Sequence, residues 1–146
     1  MSSSNCIFCK IVNKSSPADI KFENDEILIF KDIKPAAIHH YLSIPKEHIA
    51  NVNSLNSPEH KGLLDRLLAE GKKAVEDQGG DVNDLRLGFH LPPFNTVGHL
   101  HLHVISPASS MGLMHRIMFK PHTLWFSSVE QIYERLEKII EINNKL

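Results

Sequence analysis

Apolar and polar positions along the chain change period several times, and each change marks an element. Residues 27–30 (ILIF) form an apolar, β-prone run ending at Lys31-Asp32, which predicts a strand. Pro35 breaks the chain, and residues 39–45 (HHYLSIP) read as a second strand close enough to form a hairpin with the first. Ser57 followed by Pro58 is an N-cap pair, after which Leu63, Leu64, Leu67, Leu68, Ala74 and Val75 recur at helical spacing until Gly79-Gly80. Leu85, Leu87 and Phe89 alternate with Arg86 and Gly88, a strand signature, and the bend Leu91-Pro92-Pro93-Phe94 follows. A further strand is expected over 99–106, then an irregular stretch to about Phe126. Ser128 with Gln131 forms a capping box for a last helix that turns Val129, Ile132, Tyr133, Leu136, Ile139 and Ile140 inward. Near the start, residues 6–13 (CIFCKIVN) can form one or two helical turns. Closely spaced strands need hairpin connections, so the sheet should be largely antiparallel with helices packed on it, an α+β domain.

A length of 146 residues suits one domain with a substantial core, and 42% apolar with 23% charged residues is an ordinary globular balance. No apolar stretch reaches the roughly 18 residues of a membrane span, so no membrane association is expected. Met1-Ser2-Ser3-Ser4-Asn5 has neither the basic start nor the apolar run of a signal peptide, so a cytoplasmic and nuclear protein is expected. The net charge of −1 argues against a long nucleic acid as main partner, because backbone neutralisation calls for a basic excess. Ten histidines, by contrast, point towards chemistry. The two cysteines, Cys6 and Cys9, are spaced C-x-x-C, which without a secretion signal favours metal or redox chemistry over a disulfide. Two small buried apolar residues are the alternative.

The most informative run is His99-Leu100-His101-Leu102-His103-Val104-Ile105. On a strand the three imidazoles share one face, while Leu100, Leu102 and Val104 share the other and can pack under a helix. A row of partly buried histidines must find hydrogen-bond partners, so it makes a poor filler for an ordinary strand. Metal binding by all three is the other chemical reading.

This run matches at every position the His-φ-His-φ-His-φ-φ signature (φ apolar) of the histidine-triad (HIT) superfamily, and the chain resembles that superfamily over most of its length. CIFCKIVN, ILIFKDIKP, HHYLSIPKEHI and the triad follow in the expected order. FKDIKPAAIHHYLSIPKEHI, LGFHLPPF and HLHLHVISP are most similar to the histidine triad nucleotide-binding protein 3 subfamily, with aprataxin's catalytic domain next. The resemblance implies a HIT-like fold with a mainly antiparallel sheet of about five strands and two main helices. It also implies a single domain over 1–146, with its core at about 5–107 and a C-terminal loop and helix at 108–146.

The family acts on the α-phosphate of nucleotides, and the resemblance implies that His101 attacks phosphorus to form a nucleotidyl-histidine, which water then hydrolyses to AMP. His103 would donate to the non-bridging oxygens, with His99 in support. Thr96 would stand near the leaving group unless it is an ordinary turn hydroxyl. His40 would orient the nucleophile's other nitrogen. Ile7, Phe8, Ile11, Phe30, Asp32 and Ile33 would form the nucleoside pocket, Phe8 and Ile33 sandwiching a base and Asp32 accepting the ribose hydroxyls. Read without the family, the apolar members are core residues and Asp32 a turn residue. His90 and Asn95 would complete the nucleotide site, although His90 has an equal claim to a structural role. Cys6, Cys9, His48 and His99 would hold a structural zinc, with no organic cofactor. Lys120 and His122 could bind an acidic leaving group or be solvated, and Trp125-Phe126 should anchor the loop. A purine nucleotide is the implied substrate and a homodimer the implied assembly. The leading activity is hydrolysis of adenosine 5′-monophosphoramidates. Cleavage of dinucleoside polyphosphates, removal of AMP from adenylated DNA, and a non-enzymatic nucleotide-binding module are the alternatives.

Overall fold

The computed structural model describes residues 5–146, so the reading of residues 1–4 lies outside the described residues. The elements run α1 (Ile7–Val12), β1 (Ile20–Glu23), β2 (Ile27–Lys31), β3 (His39–Pro45), α2 (Pro58–Asp77), β4 (Arg86–His90), β5 (Leu102–Ser106), α3 (Leu113–Met118), β6 (Phe126–Ser128) and α4 (Val129–Asn144). All five strand pairings are antiparallel, in the order β1-β2-β3-β5-β4-β6. The expected hairpin forms between β2 and β3, with Ile27 opposite Pro45 and Lys31 opposite Tyr41.

The local signals for the two long helices act as expected. The Ser57 hydroxyl accepts from the His60 N–H at 3.3 Å, and Pro58 opens α2. Gly79 supplies the positive φ of 81° just beyond the helix end. At α4 the capping box closes in both directions, Gln131 N–H to Ser128 Oγ (3.2 Å) and Ser128 N–H to Gln131 Oε1 (2.9 Å).

The two faces of the sheet are covered differently. On one, Ile27, Ile29, Tyr41, Leu102 and Val104 join Leu64 and Leu67 of α2 and Ile132 and Leu136 of α4 in the main core. Each such fully buried aliphatic side chain contributes about 1.5–3 kcal/mol. On the other face, Cys6, Phe8, Cys9 and Ile11 pack on Leu28, Phe30, Leu42 and Ile44. Ala36, Ile105, Met111, Phe119 and Phe126 form a separate cluster. Phe8 of the first of these clusters touches His101, and Phe119 of the second touches His103, so the histidines stand between two small apolar clusters.

Three elements differ from expectation. The sheet has six strands rather than about five, because the short β1 and β6 form its edges. Helix α3 and strand β6 occupy the stretch expected to be irregular to about Phe126. The strand expected from residue 99 begins only at Leu102. The β3–β5 register ends with Ser43 opposite Leu102; two residues further, Leu100 would face Pro45, which has no N–H to offer. Leu100 N–H donates instead to the Ile49 carbonyl at 2.6 Å.

Candidate active site

His101 is held by its own chain. Its Nδ1–H donates to the carbonyl of His99 at 2.7 Å, which places the lone pair of the neutral ring on Nε2. The ring is 8% exposed and stands edge-on to Phe8, with centroids 5.2 Å apart. Burial pushes its pKa below the ordinary histidine value, against the upward pull of the His99 carbonyl. His101 is therefore neutral at physiological pH, with one nucleophilic nitrogen.

The neighbouring histidines form a chain of hydrogen bonds with a fixed direction. Ala36 N–H donates to His40 Nδ1 at 2.9 Å, so neutral His40 carries its proton on Nε2. That proton is donated to His103 Nδ1 at 2.9 Å. His103 accordingly carries its proton on Nε2 and directs it to His90 Nδ1 at 3.3 Å. His90 donates from Nε2 to the Met118 carbonyl at 2.9 Å. A backbone N–H at one end and a carbonyl at the other permit no other arrangement of neutral rings. Burial, the largest influence on each, lowers all three, His40 to about 3 and His103 well below the usual value.

These contacts correct two expectations. The partner of the nucleophile's Nδ1 is the His99 carbonyl, and His40 stands behind His103 instead. Nor do the three triad histidines converge as one set of ligands: among the described residues the side chains that come together are Cys6, Cys9, His48 and His99 in one group and Asp32, His40 and His103 in another. Asp32 Oδ2, His40 Nε2 and His103 Nδ1 also converge. The His40 proton lies between the two rings, so this trio is a hydrogen-bonded cluster. Asp32 Oδ1 accepts from Lys34 N–H at 2.8 Å, and Oδ2 lies 3.4 Å from His40. Burial raises its pKa.

The expected nucleoside residues surround His101 unevenly. Phe30 and Ile11 are buried in the cluster under α1, and Phe8 is only 7% exposed, packed on Phe30, His99 and His101. Phe8 therefore forms a wall beside the nucleophile, with no open ring face for one side of a sandwich. Ile33 is 93% exposed and Ile7 45% exposed. Asn95 and His90 line a small cleft with Ala50, Val52, Phe89 and His101, and Thr96 is exposed in the same loop. Lys120 and His122 are both exposed, and Trp125 anchors the loop by donating from its indole to the Ile117 carbonyl at 2.7 Å. Sequence reasoning missed Phe119, whose ring touches His40, His90 and His103 at centroid distances of 5.0–5.4 Å. It follows α3 in a stretch with no periodic signal.

The expected metal ligands do converge. Cys6 Sγ and Cys9 Sγ lie 3.4 and 3.5 Å from His99 Nδ1, and Cys9 Sγ lies 3.3 Å from His48 Nδ1. Tetrahedral zinc with thiolate and imidazole ligands has ligand–ligand edges of roughly 3.5 Å, so the donor set and its size fit that ion. His99 Nε2–H donates to the Pro45 carbonyl at 2.8 Å, which leaves Nδ1 with its lone pair towards the sulfurs.

Comparison with known proteins agrees with this geometry. Residues 5–119 match the family model described as scavenger mRNA decapping enzyme C-term binding. The adenosine 5′-monophosphoramidase HINT3 of Mus musculus is 40% identical over 138 residues, covering 92% of this chain and 83% of that protein. The bifunctional adenosine 5′-phosphosulfate phosphorylase/adenylylsulfatase HINT4 of Arabidopsis thaliana is 44% identical over 100 residues, 67% of each chain. A HIT family hydrolase from Clostridium thermocellum superposes with a TM-score of 0.67 at 38% identity, over 71% of this chain and 91% of that one. With its histidine row, its antiparallel sheet and these relatives, the chain belongs to the histidine-triad superfamily.

Proposed function

We propose that the protein hydrolyses the P–N bond of adenosine 5′-monophosphoramidates, with His101 as nucleophile. The observation that carries this reading is the His101–His99 carbonyl bond, which fixes one tautomer and leaves Nε2 ready to attack. The likeness to three HINT3 adenosine 5′-monophosphoramidases supports the substrate class.

In the first step Nε2 bonds to the α-phosphorus as the P–N bond breaks, and the departing amine takes up a proton from solvent, which the water of the second step returns. Water then attacks the phosphorus, releasing AMP and restoring His101. His103 Nε2–H is the donor for a non-bridging oxygen. Its bond to His90 is long at 3.3 Å, so a phosphate oxygen that gathers negative charge competes for it readily. Loss of such a donor costs roughly 100- to 1,000-fold in rate. His99 supports through its carbonyl, Asn95, in the cleft beside His101, would contact the nucleotide, and Thr96 would serve the leaving group. Ile7 and Ile33 offer exposed apolar surface for the base, and Asp32 is the acceptor for the ribose hydroxyls. Zinc, when bound by Cys6, Cys9, His48 and His99, would tie the N-terminus to the residue that orients the nucleophile. The same reading includes a homodimer acting in cytoplasm and nucleus, which size-exclusion chromatography and imaging of a tagged chain would check.

The test offers purified protein an adenosine 5′-phosphoramidate, a diadenosine polyphosphate, adenosine 5′-phosphosulfate and a 5′-adenylated nicked DNA, scoring AMP release against His101→Ala. Preferred turnover of the phosphoramidate, lost in the variant while AMP still binds, is expected. Preference for another substrate would replace this reading, and no turnover of any would make the protein a nucleotide-binding module.

A further inference from the structure

The histidine chain has one end in the turn before β3 and the other at the end of α3. Ala36 N–H, at the first end, belongs to the turn leading into β3. The Met118 carbonyl, at the other, is the last residue of α3, a six-residue helix with little hold on the sheet: Leu113, Met114, Ile117 and Met118 are all 43–77% exposed. Something must fix Met118, because His90 faces His103 as an acceptor only while its other nitrogen has a carbonyl to donate to. A His90 with its proton on Nδ1 would oppose the Nε2–H of His103 donor to donor.

Trp125 holds the Ile117 carbonyl, one residue before Met118, and strand β4 supplies the hold on Met118 and Phe119 themselves. Arg86, Gly88 and His90 alternate onto one face. Arg86 Nη1–H donates to the Phe119 carbonyl at 2.7 Å, and His90 donates to the carbonyl of the preceding residue, Met118. Two side chains four positions apart on one strand thus clasp consecutive carbonyls of one segment. Gly88 between them makes room for Phe126, since a Cβ there would lie 2.6 Å from the Phe126 ring and 2.2 Å from the Ser127 carbonyl. Phe126 in turn backs Phe119 at a centroid distance of 5.6 Å, and Phe119, 4% exposed, covers His40, His90 and His103. The guanidinium suits the task because it stays charged and presents a rigid N–H fork on a long stem.

We propose that Arg86 is a positioning residue for the reaction: by holding the Phe119 carbonyl it keeps the Met118 carbonyl on His90, and so keeps His103 as a one-way donor under the Phe119 ring. The kinetic part rests on the phosphoramidase reading above; the hydrogen-bond part does not. Arg86 touches no reacting atom, and its influence passes through Phe119, Met118 and His90.

The experiment compares wild type with Arg86→Met, which keeps the apolar stem, and Arg86→Lys, which restores a cationic N–H. Each is measured for kcat and KM on an adenosine 5′-phosphoramidate, for melting temperature, and for the imidazole ¹⁵N signals of His90 and His103. Wild type should show single tautomers at both rings. Arg86→Met should show mixed tautomers at His90, with kcat reduced roughly 10- to 100-fold and KM within about twofold. Arg86→Lys should recover part of both. Unchanged His90 signals in Arg86→Met, or a loss that follows the folded fraction alone, would overturn the proposal. If Arg86→Met melts below the assay temperature, Arg86→Lys decides: partial tautomer mixing with a matching fall in kcat supports it, and mixing with unchanged kcat refutes it. Absence of turnover by wild type would sink the phosphoramidase reading, while the nitrogen signals would still decide whether Arg86 holds His90.

Discussion

Acid should destabilise this protein from just below neutral pH, and His40 gives the effect a size. In the unfolded chain a histidine titrates near 6.5. In the folded protein burial lowers His40 to about 3. Between those values the unfolded chain holds a proton that the native state does not, so stability rises with pH across the window. It is fully present above about 6.5 and lost as pH falls. At pH 5.0, some 1.5 units below the unfolded value, the loss from His40 alone is about 2 kcal/mol at 1.36 kcal/mol per unit. The other buried histidines act in the same direction, and acid release of a bound metal would add to them. A paired comparison isolates His40. Urea unfolding of wild type and His40→Asn at pH 7.5 and pH 5.0 gives four free energies, and the fixed cost of the substitution cancels in the double difference. His40→Asn should lose about 2 kcal/mol less than wild type between the two pH values. Equal acid losses would show that His40 titrates normally in the folded protein, and would refute the chain of neutral rings described above.

Gly88→Ala should lower stability by about 1–3 kcal/mol, because the new methyl meets the Ser127 carbonyl and the Phe126 ring; thermal melting measures it. Ser128→Ala removes the hydroxyl that caps α4 and should cost about 1 kcal/mol while leaving activity unchanged, which denaturant unfolding and AMP release would check together. Cys9→Ser should abolish stoichiometric zinc in metal analysis of the purified protein, and chelation should lower the melting temperature of wild type but not of the variant.

The legible parts of the fold were those with a local physical cause. Ser57-Pro58 and the Ser128/Gln131 box each satisfy orphan N–H groups within a few residues, so their helices start where the sequence predicts. Ile27–Phe30 announces a strand because four β-prone residues cluster there. The short edges β1 and β6 have no such excess, and only pairing with β2 and β4 defines them. Among site residues, the triad and the Cys6, Cys9, His48, His99 set were legible as residue types at a spacing, given the family resemblance. Their partners were not. The His99 and Met118 carbonyls belong to the backbone, which carries no sequence signal, and Phe119 is held over the histidines by distant residues, Phe126 behind its ring and Arg86, 33 residues earlier, on its carbonyl. Pro45 alone could have warned that the ladder would stop short of His101.

The acceptor behind His101 is a peptide oxygen rather than an acid, and this bears on how the covalent intermediate would live. A carboxylate in that place would share negative charge with the ring, strengthening its hold on phosphorus as well as its attack. A neutral carbonyl aligns the ring but lends it little extra basicity, so the imidazole departs as willingly as it arrives. It neither titrates nor depends on the identity of its side chain, so the ring's alignment persists wherever the backbone does. A nucleotidyl-histidine built on such a support is suited to turnover, not storage.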